Sequence, residues 1–149
     1  MEPARYLVDT NVISAVAPTK KKQPPLELVR WLDLQSDRLF LSVVTVAELS
    51  DGAAKLRREG ATRKAGQLED WLGLILHLYA DRVLPLNIKV ARTIGQFSDL
   101  ARGRGQAPGF ADLAIAATTF THELVLLTRN VRHFEFLPVS VVDPFTTLP

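Results

Sequence analysis

The chain contains no cysteine in 149 residues. Disulfides, zinc–thiolate sites and thiol catalysis are therefore excluded, and such a chain suits the reducing cytoplasm. It also lacks a long apolar run: nothing approaches the roughly 20 residues that a membrane-spanning helix needs. The leading segment MEPARYLVD has neither the basic lead nor the apolar stretch of a secretory signal. No membrane partner is expected. Internal repeats and low-complexity tracts are missing too. Net charge is only +2, so the overall charge argues weakly for a nucleic-acid partner.

What is present fits an ordinary globular protein, with 47% hydrophobic and 23% charged residues. The expectation is one domain over residues 1–149, large enough for a real core. The basic residues are clustered. Lys20, Lys21 and Lys22 form one group, Arg57, Arg58, Arg63 and Lys64 a second, Arg102 and Arg104 a third, and Arg129 and Arg132 a fourth. Solvated loops and helix ends would explain any one of them.

Short apolar strands alternate with helical patterns. Tyr6-Leu7-Val8, Leu39–Ser42, a segment starting at Val83-Leu84, Leu124–Leu127 and Val139–Val142 read as strands. Between them, Pro24 and Pro25 suit the first turn of a helix carrying Leu28, Trp31 and Leu32. Val46, Leu49, Ala53 and Leu56 fall on one face of the next helix, which Gly60 can stop. Residues 61–80, 88–102 and 110–121 complete the helices. Leu74, Leu76 and Leu78 widen the apolar face of the first of these beyond one core contact. Alternation of this kind implies an α/β fold with a parallel sheet covered on both faces.

In such a sheet the strand carboxyl ends share one edge, where ligands bind. Asp9 ends the first strand, Glu48 is read as opening the helix after the second, and Asp112 opens a very apolar helix. Three carboxylates gathered at one edge repel one another and call for a cation, and hard Mg²⁺ or Mn²⁺ prefers such oxygens. Each has a plainer reading. Asp9 can be a helix N-cap, and Glu48 and Asp112 can be acids favoured by a helix dipole. Asp112, surrounded by Ala111, Leu113, Ala114 and Ile115, is expected to be buried, which favours a metal partner. Thr128 and Asn130 can hydrogen-bond a carboxylate or a metal water. His133 can bind metal, hold a phosphate or stand at the surface. An acidic centre within basic surroundings is what a metal nuclease requires, since cations hold backbone phosphates.

Five segments carry a resemblance: LVDTNVIS, SVVTVAEL, GFADLAIAAT, LLTRNVRHF and VVDPF. In order and spacing they resemble the PIN-domain ribonucleases, especially VapC- and FitB-like toxins of toxin–antitoxin pairs, almost end to end. The resemblance implies a three-layer α/β/α sandwich with about five parallel strands. It implies an endoribonuclease dependent on Mg²⁺ or Mn²⁺, acting on tRNA or another structured RNA and leaving a 5′-phosphate and a 3′-hydroxyl. Asp9, Glu48 and Asp112 occupy the family's three leading acidic positions, with Thr10, Asn11, Thr128, Asn130 and His133 as auxiliaries. Arg129, Arg132 and Arg104 are candidates for RNA phosphate. The family's usual fourth acid falls at Asn130 or His133, neither of them acidic, so one tightly held ion is expected. The resemblance also implies a VapB-like antitoxin and a homodimer.

Two other readings stand beside this one. Asp9 could be a phosphorylated nucleophile, but the second Asp expected two residues later is replaced by Asn11. A catalytically degenerate PIN domain would bind RNA or a protein without cleaving. The intact Asp9, Glu48 and Asp112 argue against it.

Overall fold

The computed structural model describes residues 2–149. Five short strands are Tyr6–Val8 (β1), Leu39–Ser42 (β2), Val83–Leu84 (β3), Val125–Leu127 (β4) and Ser140–Val142 (β5). They form one sheet in the order β3-β2-β1-β4-β5, and every neighbouring pair is parallel. Central β1 pairs through Tyr6 with Leu39 on one side and Val125 on the other.

The helices are Thr10–Ile13 (α1), Leu26–Leu34 (α2), Val43–Arg58 (α3), Thr62–Tyr79 (α4), Ile88–Gly103 (α5) and Phe110–Thr121 (α6). Among the described residues none is long and apolar enough to cross a membrane. Successive strand residues face opposite sides. Leu7 and Leu126 enter a core with Val90, Phe97 and Ile115 from α5 and α6. Tyr6, Val8 and Leu127 enter a second core with Leu28, Leu72 and Ile75 from α2 and α4. Helices thus cover both faces, as a parallel sheet requires. Each fully buried leucine contributes about 1.5–3 kcal/mol, and together they fix the strand ends that carry the site.

The α3 boundary corrects the reading of Glu48. The Ser42 hydroxyl accepts from Val44 N–H at 3.0 Å and caps the helix, which has no acid in its first turn. The β-branched run Val43–Val46 sits inside the helix rather than prolonging β2, so Glu48 lies past the first turn and the dipole does not account for it. Smaller differences concern ends. Pro25 is the N-cap of α2, and β4 and β5 each start one residue later than expected. Gly60 does follow the end of α3, with φ 86°.

The broad apolar face of α4 divides in two. Leu68, Leu72, Ile75 and Tyr79 are buried, whereas Leu74 and Leu78 are 54% and 58% exposed. Trp71 is half-buried against the core.

Candidate active site

The carboxyl end of β1 runs directly into α1, and Asp9 is the N-cap between them. The N-cap reading of Asp9 therefore holds. Its Oδ1 accepts from Thr10 N–H at 2.8 Å, the capping bond. Its Oδ2 accepts from the Thr128 hydroxyl at 2.8 Å, and the Asn11 amide lies 3.4 Å away. Asp9 is only 7% exposed. Burial pushes its carboxyl above the usual Asp range. The bonds from Thr128 and Thr10 pull it back down, and the charges of Asp112 and Glu48 push it up again.

Thr128 follows β4 beside β1, so sheet register delivers it to Asp9. Its hydroxyl also accepts from the Asn11 amide and from Asn130 N–H, both at 3.1 Å. Asn11 Oδ1 in turn accepts Arg129 N–H at 3.1 Å. The Asp9-Thr10-Asn11 turn and the Thr128-Arg129-Asn130 turn are laced together by side chains.

Glu48 reaches the same place from α3. Its Oε1 accepts from the Thr10 hydroxyl at 2.6 Å, and the buried Thr45 hydroxyl lies 3.0 Å from that of Thr10. Asp112 stands in the first turn of α6. It is not buried as its apolar neighbours suggested: its side chain is 32% exposed. The apolar faces of α6 pack inward, while Asp112 turns to the cleft mouth. His133 Nδ1 sits 3.0 Å from Asp112 Oδ2. Opposite a carboxylate acceptor, that nitrogen carries the proton.

Asp9, Glu48, Asp112, Thr10, Asn11, Ser14 and Asn130 line one cleft of about 230 Å³, completed by Ala111 and Ile115. No Lys, Arg or His is among its lining residues. The donors are hard oxygens, and the Asp9 carboxyl is raised chiefly by burial and in smaller part by the charges of Asp112 and Glu48, so the chemistry fits a small divalent cation. Among the described residues, no three His, Cys, Asp or Glu side chains draw together into a ready-made cage. His133 stands outside the cleft lining and touches it through Asp112.

The arginines are distributed around the rim. Arg129 lies over the Phe145 ring, 4.2 Å from its centroid. Arg104 donates to the Phe136 carbonyl at 2.9 Å, and Arg132 is exposed beside His133 in a neighbouring depression. Arg57 is tied to Glu69 at 2.6 Å instead. Sequence reasoning did not single out Ser14, the last residue of LVDTNVIS, or Thr45, within SVVTVAEL, although both segments carried the resemblance.

A PIN-domain family model matches residues 6–136. Toxin FitB of Neisseria gonorrhoeae is 38% identical over 141 residues, 93% of this chain and 97% of that protein. VapC ribonuclease Y4jK of Sinorhizobium fredii is 33% identical, over 93% and 96%. The crystal structure of FitAcB from Neisseria gonorrhoeae superposes with a TM-score of 0.81 at 37% identity, covering 94% of this chain and 98% of that one. The chain belongs to the PIN-domain family, alongside the VapC and FitB proteins.

Proposed function

We propose that this protein is a metal-dependent endoribonuclease and the toxin of a toxin–antitoxin pair, its residues 1–149 acting as one PIN domain in the cytoplasm. One observation carries the catalytic reading: three carboxylates line a single cleft whose lining holds no basic side chain. Asp9 is buried, and a cation among the three would offset their mutual repulsion.

Asp9 and Asp112 would hold Mg²⁺ or Mn²⁺, directly or through water, with Glu48 completing the acidic set. The ion, when bound, neutralises charge on the scissile phosphate and makes a water more acidic. Glu48 orients that water and accepts its proton, while Thr10 fixes the Glu48 carboxylate. The water oxygen attacks phosphorus in line. The bond to the 3′ oxygen breaks, leaving a 5′-phosphate and a 3′-hydroxyl. Thr128 and Asn11 keep Asp9 in register, and Arg129, Arg132 and Arg104 hold phosphates of a structured RNA such as tRNA.

A small VapB-like antitoxin encoded with the toxin silences it, and the active form is a homodimer. The names of the relatives and the FitAcB structure support the antitoxin partner. The exposed Leu74 and Leu78 on α4 offer apolar surface for one of these contacts.

The deciding experiment is RNA cleavage by antitoxin-free protein in Mg²⁺, Mn²⁺ or EDTA, with Asp9→Ala and Asp112→Ala in parallel. Metal-dependent cleavage lost in both variants is the expected result. Cleavage persisting in both would sink the site assignment. No cleavage of total RNA by folded, metal-supplied protein would favour a binding role.

A further inference from the structure

A second cavity, about 460 Å³, opens next to the acidic cleft and shares Asn11 and Ser14 with it. Its volume lies within the ~300–1,000 Å³ of ordinary small-ligand sites. Its chemistry is the reverse of the cleft's: Lys20, Lys22 and Arg129 line it, and no carboxylate does. Among the described residues, none of these three cations is within ion-pair distance of an acid. Lysines on a loop would ordinarily be dismissed as solvated. Arg129, although exposed, is held at two points. Its backbone N–H is bound by Asn11 Oδ1 at 3.1 Å, and its guanidinium rests on Phe145, which also lines the cavity. Asn11 therefore ties the arginine of the basic cavity to Asp9 of the acidic cleft.

We infer that this cavity is a nucleotide subsite, taking the residue of the RNA strand next to the scissile phosphate. The inference rests on the nuclease reading for the identity of the strand. Lys20 and Lys22 neutralise its phosphates. Arg129, whose guanidinium carbon lies 4.2 Å from the Phe145 ring centroid, offers a guanidinium on which a base stacks, as single-stranded RNA commonly does on arginine and aromatic planes. A strand whose phosphate lies among the carboxylates needs positive charge close by to offset their repulsion. The cavity supplies it within one side chain's reach.

The test is fluorescence anisotropy of a labelled single-stranded RNA oligonucleotide across a salt series. All proteins carry Asp9→Asn and are kept in EDTA, so cleavage is off. Adding Lys20→Ala with Lys22→Ala is expected to weaken binding about tenfold and to flatten the plot of log affinity against log salt by about 1.4, roughly 0.7 per lost phosphate contact. Arg129→Lys keeps the charge and loses the plane, so affinity falls about tenfold with the slope unchanged. Phe145→Leu, which releases the plane but keeps apolar volume, follows Arg129→Lys. Lys89→Ala with Arg92→Ala on α5 is the charge-matched control and leaves both quantities in place. Cavity variants that bind like their parent, or a control that flattens the slope equally, would overturn the subsite. Cleavage by the otherwise native protein is followed separately. If it fails while the cavity variants still weaken binding, the nuclease reading falls and the cavity stands only as a site that binds a nucleotide of RNA. If it succeeds while binding is indifferent, the reverse holds.

Discussion

Asp9 and Asp112 face each other across one cleft but are held in opposite ways. Asp9 is buried on the sheet side, where Thr10, Thr128 and Asn11 all point at its two oxygens. Asp112 is part-exposed on the helix side, and its one recorded side-chain partner is His133, itself 54% exposed. The sheet side is a rigid mount. Moving Asp9 would break a capping bond and a lacing between two turns, and would strand polar groups in the interior. The helix side is adjustable, because a solvated carboxylate and a surface imidazole can turn without leaving anything unsatisfied. A cleft of this kind fixes one wall and lets the other follow its ligand.

The sharpest challenge to this contrast is removing the mount itself. Asp9→Ala is expected to lower cleavage at least about a thousandfold and to abolish Mn²⁺ binding by calorimetry, since several kcal/mol of charge stabilisation go with the ion. Retention of a tenth of the activity would show that Asp9 is only a helix cap.

Thr128→Val comes next. It leaves Asp9, Asn11 and the Asn130 N–H short of a partner. Support of this kind is typically worth about 10–100-fold in metal affinity or activity, with about 1–3 kcal/mol of stability lost by denaturant titration. Unchanged metal affinity would mean that Asp9 needs no mount.

His133→Asp probes the adjustable side. Supplying an acid where the imidazole stood is expected to raise Mg²⁺ affinity, but by no more than about tenfold, and to change stability by no more than ~0.5 kcal/mol because the site is exposed. A large stability change would mean that the His133–Asp112 contact is as structural as the Asp9 network.

The smallest effect is in pH. The Asp9 carboxyl is raised from its ordinary 3.8 chiefly by burial. The folded protein then keeps that proton to higher pH than the unfolded chain does. The resulting stability is fully present below the unfolded value and is lost as pH rises through the folded one. In EDTA, the wild-type melting temperature should therefore decline across that acidic window more than that of Asp9→Asn. Parallel profiles would remove the burial argument.

Much of the frame was legible because it is local. Apolar triplets such as Tyr6–Val8 and Leu39–Leu41 mark strands, and the four- and three-residue spacing of Leu68, Leu72 and Ile75 marks α4. The boundary of α3 was not, because Val43, Val44, Thr45 and Val46 have strand-like side chains, and only the Ser42 cap declares the helix. Asp112 was read as buried from its neighbours in sequence, yet exposure is set by which way the helix faces in space. The Glu48–Thr10 bond and the Arg129–Phe145 stack join residues distant along the chain, and no local pattern encodes them. Glu123 is a similar case: it ends α6 at φ 55°, where glycine is the usual choice.

The pairing of β1 with β4 also sets when activity can arise during synthesis. Tyr6 finds Val125, and Asp9 finds Thr128, only across nearly the whole chain. Contacts of such long range form late. A ribosome that has released β1, β2 and α3 has exposed Asp9 and Glu48 without Asp112 or the β4 mount. On the proposed nuclease reading, the nascent polypeptide lacks a complete cleft until β1 and β4 meet.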